Sequence, residues 1–127
     1  MKLFAIAILI GISSARGMSQ LEALAQIESG VCDDCHGPNG ERGRTQISPA
    51  VCVEYHIDRS KLSDANYCLG WTKIILSARI AKFIASHHRQ PTDAETYLSW
   101  HRPSRIEKPT PRERDRAMRF ANLCARP

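Results

Sequence analysis

Two candidate reaction centres overlap between residues 27 and 49. The run CDDCH begins at Cys32 and has the spacing at which c-type haem is attached, because two thiols form thioethers while the histidine binds the iron. On this interpretation Cys32 and Cys35 are the attachment points, His36 is the proximal ligand, and the protein is a small exported cytochrome with haem c as its cofactor. A glutamate–serine pair precedes the run, and glycine, glutamine and proline follow it at three-residue intervals, which indicates a different chemistry.

Glu28 is the candidate for acid–base catalysis. It lies four residues after Leu24 and three after Ala25, so it falls on the apolar face of the first predicted helix. A carboxyl group in an apolar pocket keeps its proton to a higher pH than one in water. Such a group can protonate a glycosidic oxygen near neutral pH, so the position favours glycoside cleavage.

A polar loop at 31–47 follows Glu28 and is expected to form a wall of the site. Its glycines allow a sugar chain to approach the backbone closely. Ser29 is placed to hydrogen-bond within the site, and Gln46 to present its amide to the sugar or to Glu28.

Six positions around this loop have a distinctive spacing: Glu28, Ser29, Gly40, Gly43, Gln46 and Pro49. The pattern resembles the active-site segment of soluble lytic transglycosylases, a branch of the lysozyme-like superfamily, including the eighteen positions from Glu28 to Gln46. The resemblance implies a mainly α, lysozyme-like domain with an irregular loop or short hairpin after the catalytic helix. It also implies that Glu28 is the single catalytic acid and base.

The function implied by this resemblance is cleavage of the β-1,4 bond between N-acetylmuramic acid (MurNAc) and N-acetylglucosamine (GlcNAc) in peptidoglycan. No cofactor and no metal ion are expected. A lytic enzyme closes the sugar as a 1,6-anhydro ring, whereas a lysozyme adds water, and the sequence does not distinguish them. No second carboxylate is convincingly placed, which favours participation of the acetamido group of the substrate.

A weaker part of the resemblance lies at 97–103, where the family has an Ala-Tyr/Trp-Asn-x-Gly segment lining the cleft. Trp100 matches the aromatic residue, whereas His101 replaces the asparagine. Arg102-Pro103 replace glycines and Arg44-Thr45 replace Leu-Met, so an inactive glycan-binding lysozyme-like module remains an alternative. The predicted substrate-binding residues are Ser29, Gln46, Trp100 and His101.

Capping patterns and apolar periodicity predict a chain of helices with no alternating strand pattern. The longest, from Asp64 to about residue 85, is expected to be the central core helix. The other predicted helices run from Ser19 to Gly30, onward from Ser48-Pro49, from Thr92 to Trp100, and from Thr110 to about Cys124.

Residues 1–17 have the features of a signal peptide: a short positive start, an apolar run, and a small-residue cleavage site near Ala15–Gly17. The mature lysozyme-like domain is then 18–127. We expect it to be exported to the periplasm or outside the cell, without stable membrane insertion after cleavage.

Some of the five cysteines are expected to form disulfides, because an exported protein folds in an oxidising compartment. Five cysteines allow two bridges and leave one thiol. Cys32 and Cys35 are able to pair with each other or with Cys52, Cys68 or Cys124, and the sequence does not choose among these pairings.

The charge of the chain favours an anionic partner. Its formal net charge is +5 at pH 7, which attracts polyanions such as the bacterial cell wall. No nucleic-acid-binding motif is present and few aromatic residues lie between the arginines, so nucleic acid is not the expected partner. The expected partners are peptidoglycan glycan strands.

Overall fold

The computed structural model describes residues 17–125, and most of this part of the chain is α-helical. The helices are α1 (Gln20–Ser29), α2 (Pro49–Tyr55), α3 (Ala65–His87), α4 (Asp93–His101) and α5 (Pro111–Ala125). The mainly α class is therefore confirmed. The predicted signal peptide, residues 1–17, lies outside the described residues except for Gly17, and export stays a prediction.

The helices begin at the capping residues that the sequence predicts. Ser19 and Glu22 form a reciprocal capping box at the start of α1, and Thr92 and Glu95 form another at the start of α4. These side chains satisfy backbone N–H groups that have no partner within the helix. Gly30 ends α1 in the left-handed conformation, with φ of 64°, which costs glycine little.

Helix α4 lies at the centre of the packing, in contact with both α3 and α5, while α1 packs against α5 and α3. Its aromatic residue Tyr97 is fully buried next to Phe120 of α5, with ring centroids 5.7 Å apart. α3 is the longest helix and contributes the largest number of buried apolar residues, among them Ile75, Leu76, Ile80 and Phe83, although the central position predicted for it belongs to α4. No helix in the 17–125 range combines the length and apolarity needed to cross a bilayer.

The segment between α1 and α2 is the predicted irregular hairpin. Arg42 forms isolated antiparallel bridges with both His36 and Ile47, so the backbone doubles back without a regular strand. Thr45 anchors this segment to the core, because its buried hydroxyl lies 2.7 Å from the hydroxyl of Thr72 on α3. The loop is thereby fixed against the long helix.

Gly43 is the tightest point of the hairpin. Its φ of 82° lies in the left-handed region, and a Cβ added there would sit 2.6 Å from the carbonyl oxygen of Leu62 and 3.0 Å from the Cys68 sulfur. Both the backbone conformation and the available space therefore require glycine.

Gly43→Ala is expected to lower the free energy of unfolding by about 2–4 kcal/mol, from backbone strain and overpacking together. The matched control is Gly70→Ala in α3, where an added Cβ meets nothing within 4 Å. That change is expected to raise the free energy of unfolding by roughly 0.5–1 kcal/mol, because alanine favours the helix. Urea unfolding of both variants measures this, and equal stability would contradict the description of the hairpin.

Candidate active site

Glu28 lies in the last turn of α1, at the wall of a groove of about 520 Å³. Only 9% of its side chain is exposed. The hairpin forms one side of the groove, and the end of α4 and the start of α5 contribute to the other. Among the predicted site residues, Glu28, Gln46, Trp100 and His101 all line it.

Two side chains hold the Glu28 carboxyl group. The Tyr97 hydroxyl donates a hydrogen bond to Oε1 at 2.8 Å, and Nη2 of Arg116 lies 3.6 Å from Oε2. Arg116 is itself fixed, because Nη2 donates to the Ile27 carbonyl at 3.0 Å. Burial, with the nearby Glu28 charge, raises the pKa of Tyr97, so the phenol stays protonated and remains a donor. Oε1 therefore accepts from a neutral donor, whereas Oε2 faces the guanidinium.

His101 stands on the groove wall one helical turn after Tyr97. The two rings are stacked, with centroids 5.7 Å apart and planes inclined by 10°. Burial lowers the pKa of His101, against the opposing effect of the Glu28 charge. A neutral imidazole can both donate and accept a hydrogen bond, so His101 suits contact with sugar hydroxyl groups.

Gln46 has a narrower role than its sequence position predicts. Its Nε2 donates to the carbonyls of Cys35, at 3.0 Å, and Gly43, at 2.9 Å. Both amide protons are therefore used within the hairpin. Only the amide oxygen remains to contact a ligand in the groove, so Gln46 mainly fixes the shape of this wall.

Ser29 is not among the residues that line the groove. Its hydroxyl donates to the Arg44 carbonyl at 2.6 Å and accepts from the Cys32 amide at 3.0 Å. These contacts tie the end of α1 to the hairpin. Substrate binding by Ser29 stays a prediction without a supporting contact, and the serine instead holds the hairpin beside Glu28.

Trp100 lines the groove although only 7% of it is exposed. The guanidinium of Arg79 from α3 lies 5.5 Å from its ring centroid, within the range of a cation–π interaction. The tryptophan therefore contributes only a small exposed area to the groove, and Arg79 of α3 covers part of its ring.

Three residues of this site were not predicted: Tyr97, Arg116 and Arg79. Tyr97 lies four residues before His101, a spacing that places both on one helix face, and this signal was present in the sequence. Arg116 belongs to a basic stretch whose other arginines, Arg112, Arg114 and Arg119, are exposed. No feature of the sequence separates it from those arginines, because only the packing of α5 on α1 brings it to Glu28.

Cys32 and Cys35 form a disulfide with each other, one of the predicted pairings. Cys52, Cys68 and Cys124 are free thiols in the described part of the chain. Covalent haem attachment needs each sulfur for its own thioether, whereas here the two sulfurs are joined. Neither cysteine nor His36 lines the groove. With the two sulfurs joined, neither is available for a thioether in this arrangement, and haem attachment stays a prediction without a supporting contact.

Comparisons with known proteins give no match, whether with family models, with curated proteins or with solved structures. The fold and the site define a mainly α-helical protein with a carboxyl-containing groove. Among residues 17–125, no cluster of three or more His, Cys, Asp or Glu side chains is arranged to hold a metal ion.

His87 at the end of α3 and His101 at the end of α4 are expected to change the free energy of unfolding in opposite directions as the pH falls. Burial lowers the pKa of His101 below 6.5, so below that pH the unfolded chain takes up a proton that the folded protein does not. The hydrogen bond that His87 donates to the Glu107 carboxylate raises the pKa of His87. The resulting contribution to stability is present below pH 6.5 and is lost as pH rises through the folded pKa.

His101→Gln should therefore reduce the loss of stability on going from pH 8 to pH 5, relative to the wild type. His87→Gln, the matched control, should increase that loss. Urea unfolding at both pH values provides the measurement. A larger loss of stability between pH 8 and pH 5 in His101→Gln than in His87→Gln would contradict the burial of His101 and the pairing of His87 with Glu107.

Proposed function

We propose that this protein is a lysozyme-like glycosidase that cleaves the MurNAc–GlcNAc β-1,4 bond of peptidoglycan, with Glu28 as its single acid and base. The observation that carries the proposal is the position of one nearly buried carboxyl group on a groove wall, oriented by a neutral phenol. The spacing from Glu28 to Gln46 adds support, because both residues line the same groove.

The proposed reaction begins with Glu28 protonated on Oε2. That proton passes to the glycosidic oxygen as the bond from this oxygen to the MurNAc anomeric carbon breaks. The carboxylate left behind is stabilised by the Tyr97 hydroxyl on Oε1 and by the Arg116 guanidinium near Oε2. It then takes a proton from the attacking oxygen, either the C6 hydroxyl of MurNAc or a water molecule, and this restores the acid.

The other carboxylates of the groove are occupied by structural contacts. Glu41 Oε2 accepts from the Asn39 amide at 2.9 Å. Glu113 accepts from the Thr110 amide at 2.9 Å and so caps α5, which with nearby arginines lowers its pKa. Neither is a free nucleophile beside Glu28, which favours stabilisation of the positive anomeric carbon by the acetamido group of the substrate.

An active enzyme and an inactive glycan-binding module would both use this groove, and Glu28→Gln separates them. The substitution keeps the size of the side chain but removes its acid function. We expect cleavage of purified peptidoglycan to fall by at least about 100-fold, the usual contribution of a general acid. Release of soluble fragments, followed chromatographically, measures this.

Glu22→Gln is the matched control, because Glu22 lies on the same helix, is exposed, and makes a capping contact that glutamine also satisfies. It should retain wild-type cleavage. Equal activity of Glu28→Gln and the wild type would exclude Glu28 as the acid. Binding of glycan by a wild-type protein that releases no fragments would favour the inactive module.

A further inference from the structure

Arg79 occupies the junction between two grooves. It comes from the middle of α3, is half-buried, and lines both the groove that contains Glu28 and a second one of about 620 Å³. Pro103 is also shared by the two linings, so the grooves meet at this end of α4. A ligand that extends past Trp100 would therefore pass the Arg79 guanidinium.

Only one edge of this guanidinium is used within the protein. Nη1 donates to the Trp100 carbonyl and lies 3.5 Å from the Ser99 carbonyl, so it caps the end of α4. Nε and Nη2 make no hydrogen bond to the described residues. Neither atom is buried without a partner, so both are accessible to solvent. These two atoms form the edge with which arginine binds a carboxylate through two parallel hydrogen bonds.

Arg79 also has no ion-pair partner. Among the described residues, no carboxylate lies within ion-pair distance of it, and the charge of Glu54, which lines the same second groove, acts on it from beyond that distance. Two other arginines of the groove differ in this respect, because Arg116 lies beside Glu28 and Arg102 is 3.9 Å from Glu113. Arg112, which lines the groove and has no ion-pair partner among the described residues, is exposed rather than half-buried. A half-buried cation without a counterion is well placed to bind an anion.

We propose that Arg79 binds a carboxylate of the glycan substrate at the junction of the two grooves, through its Nε and Nη2 atoms. The inference rests on the proposed function for the identity of the ligand as a peptidoglycan strand. Such strands carry carboxylates from two sources, the lactyl ether of MurNAc and the attached peptide. Arg79 would thereby distinguish acidic wall glycan from neutral polymers of GlcNAc.

The test measures binding in the Glu28→Gln background, so that no ligand is cleaved. Three probes are compared: a neutral GlcNAc hexamer, glycan strands with peptides removed, which expose the lactyl carboxylate, and strands with peptides attached. The variants are Arg79→Gln, Arg79→Lys and the charge-matched Arg119→Gln, whose exposed arginine lines neither groove. Thermal unfolding shows whether each variant remains folded.

Arg79→Gln should weaken binding of at least one acidic strand by about 10-fold or more, the loss expected for charge-assisted hydrogen bonds. Binding of the neutral hexamer should not change. Arg79→Lys keeps the charge but loses the planar guanidinium, so its affinity for that strand should lie between the affinities of the parent protein and of Arg79→Gln. Arg119→Gln should bind all three probes as the parent protein does. A loss confined to bare strands identifies the lactyl carboxylate, and a loss confined to peptide-bearing strands identifies the peptide.

Equal losses on neutral and acidic probes would overturn the inference, because Arg79 would then act only by capping α4. No loss on either strand, or no binding of strands by the parent protein, would also overturn it. Selective loss in a protein that never cleaves these strands would leave the Arg79 site intact and reject the enzymatic function, so the two failures are distinct.

Discussion

The site depends on the hydrogen bond from Tyr97 to Glu28. A nearly buried carboxylate is costly without partners, and here the phenol and the Arg116 guanidinium supply them. The bond also orients the carboxyl group, because Oε1 accepts from Tyr97 while Oε2 faces Arg116. Because Tyr97 is packed against Phe120, the orientation of the carboxyl group is tied to the contact between α4 and α5.

The side chains of the hairpin mainly hold the groove wall in position, and few of them are left free to contact a ligand. Ser29 attaches it to the end of α1, Thr45 attaches it to α3, and Gln46 closes it internally. Residues that the family resemblance assigns to substrate contact are thus used here to hold a wall of the groove. Because the hairpin side chains are used in this way, the groups most available to a ligand are His101, the part of Trp100 that lines the groove, and Arg79, which has no ion-pair partner among the described residues. Positively charged side chains therefore lie at the groove as well as on the exposed surface of the protein.

Local chemistry made most of the fold predictable. The caps at Ser19, Ser48, Asp64 and Thr92 each act within a few residues, so the sequence alone locates the starts of those helices. The partners of Glu28 depend instead on how distant helices pack. Arg116 lies 88 positions away in the chain and is one arginine among many, so the sequence gives no means of selecting it. The sequence likewise cannot single out Arg79, because the free Nε and Nη2 atoms of its guanidinium result from the packing of α3 against the end of α4.

The proposed transfer of a proton from Glu28 to the oxygen leaving MurNAc can be checked from the masses of the soluble products released from purified peptidoglycan. We expect each new end to be a MurNAc, as a 1,6-anhydro sugar lighter by one water or as a reducing sugar. Products that end in reducing GlcNAc, or fragments arising from cleavage of the peptide alone, would contradict it.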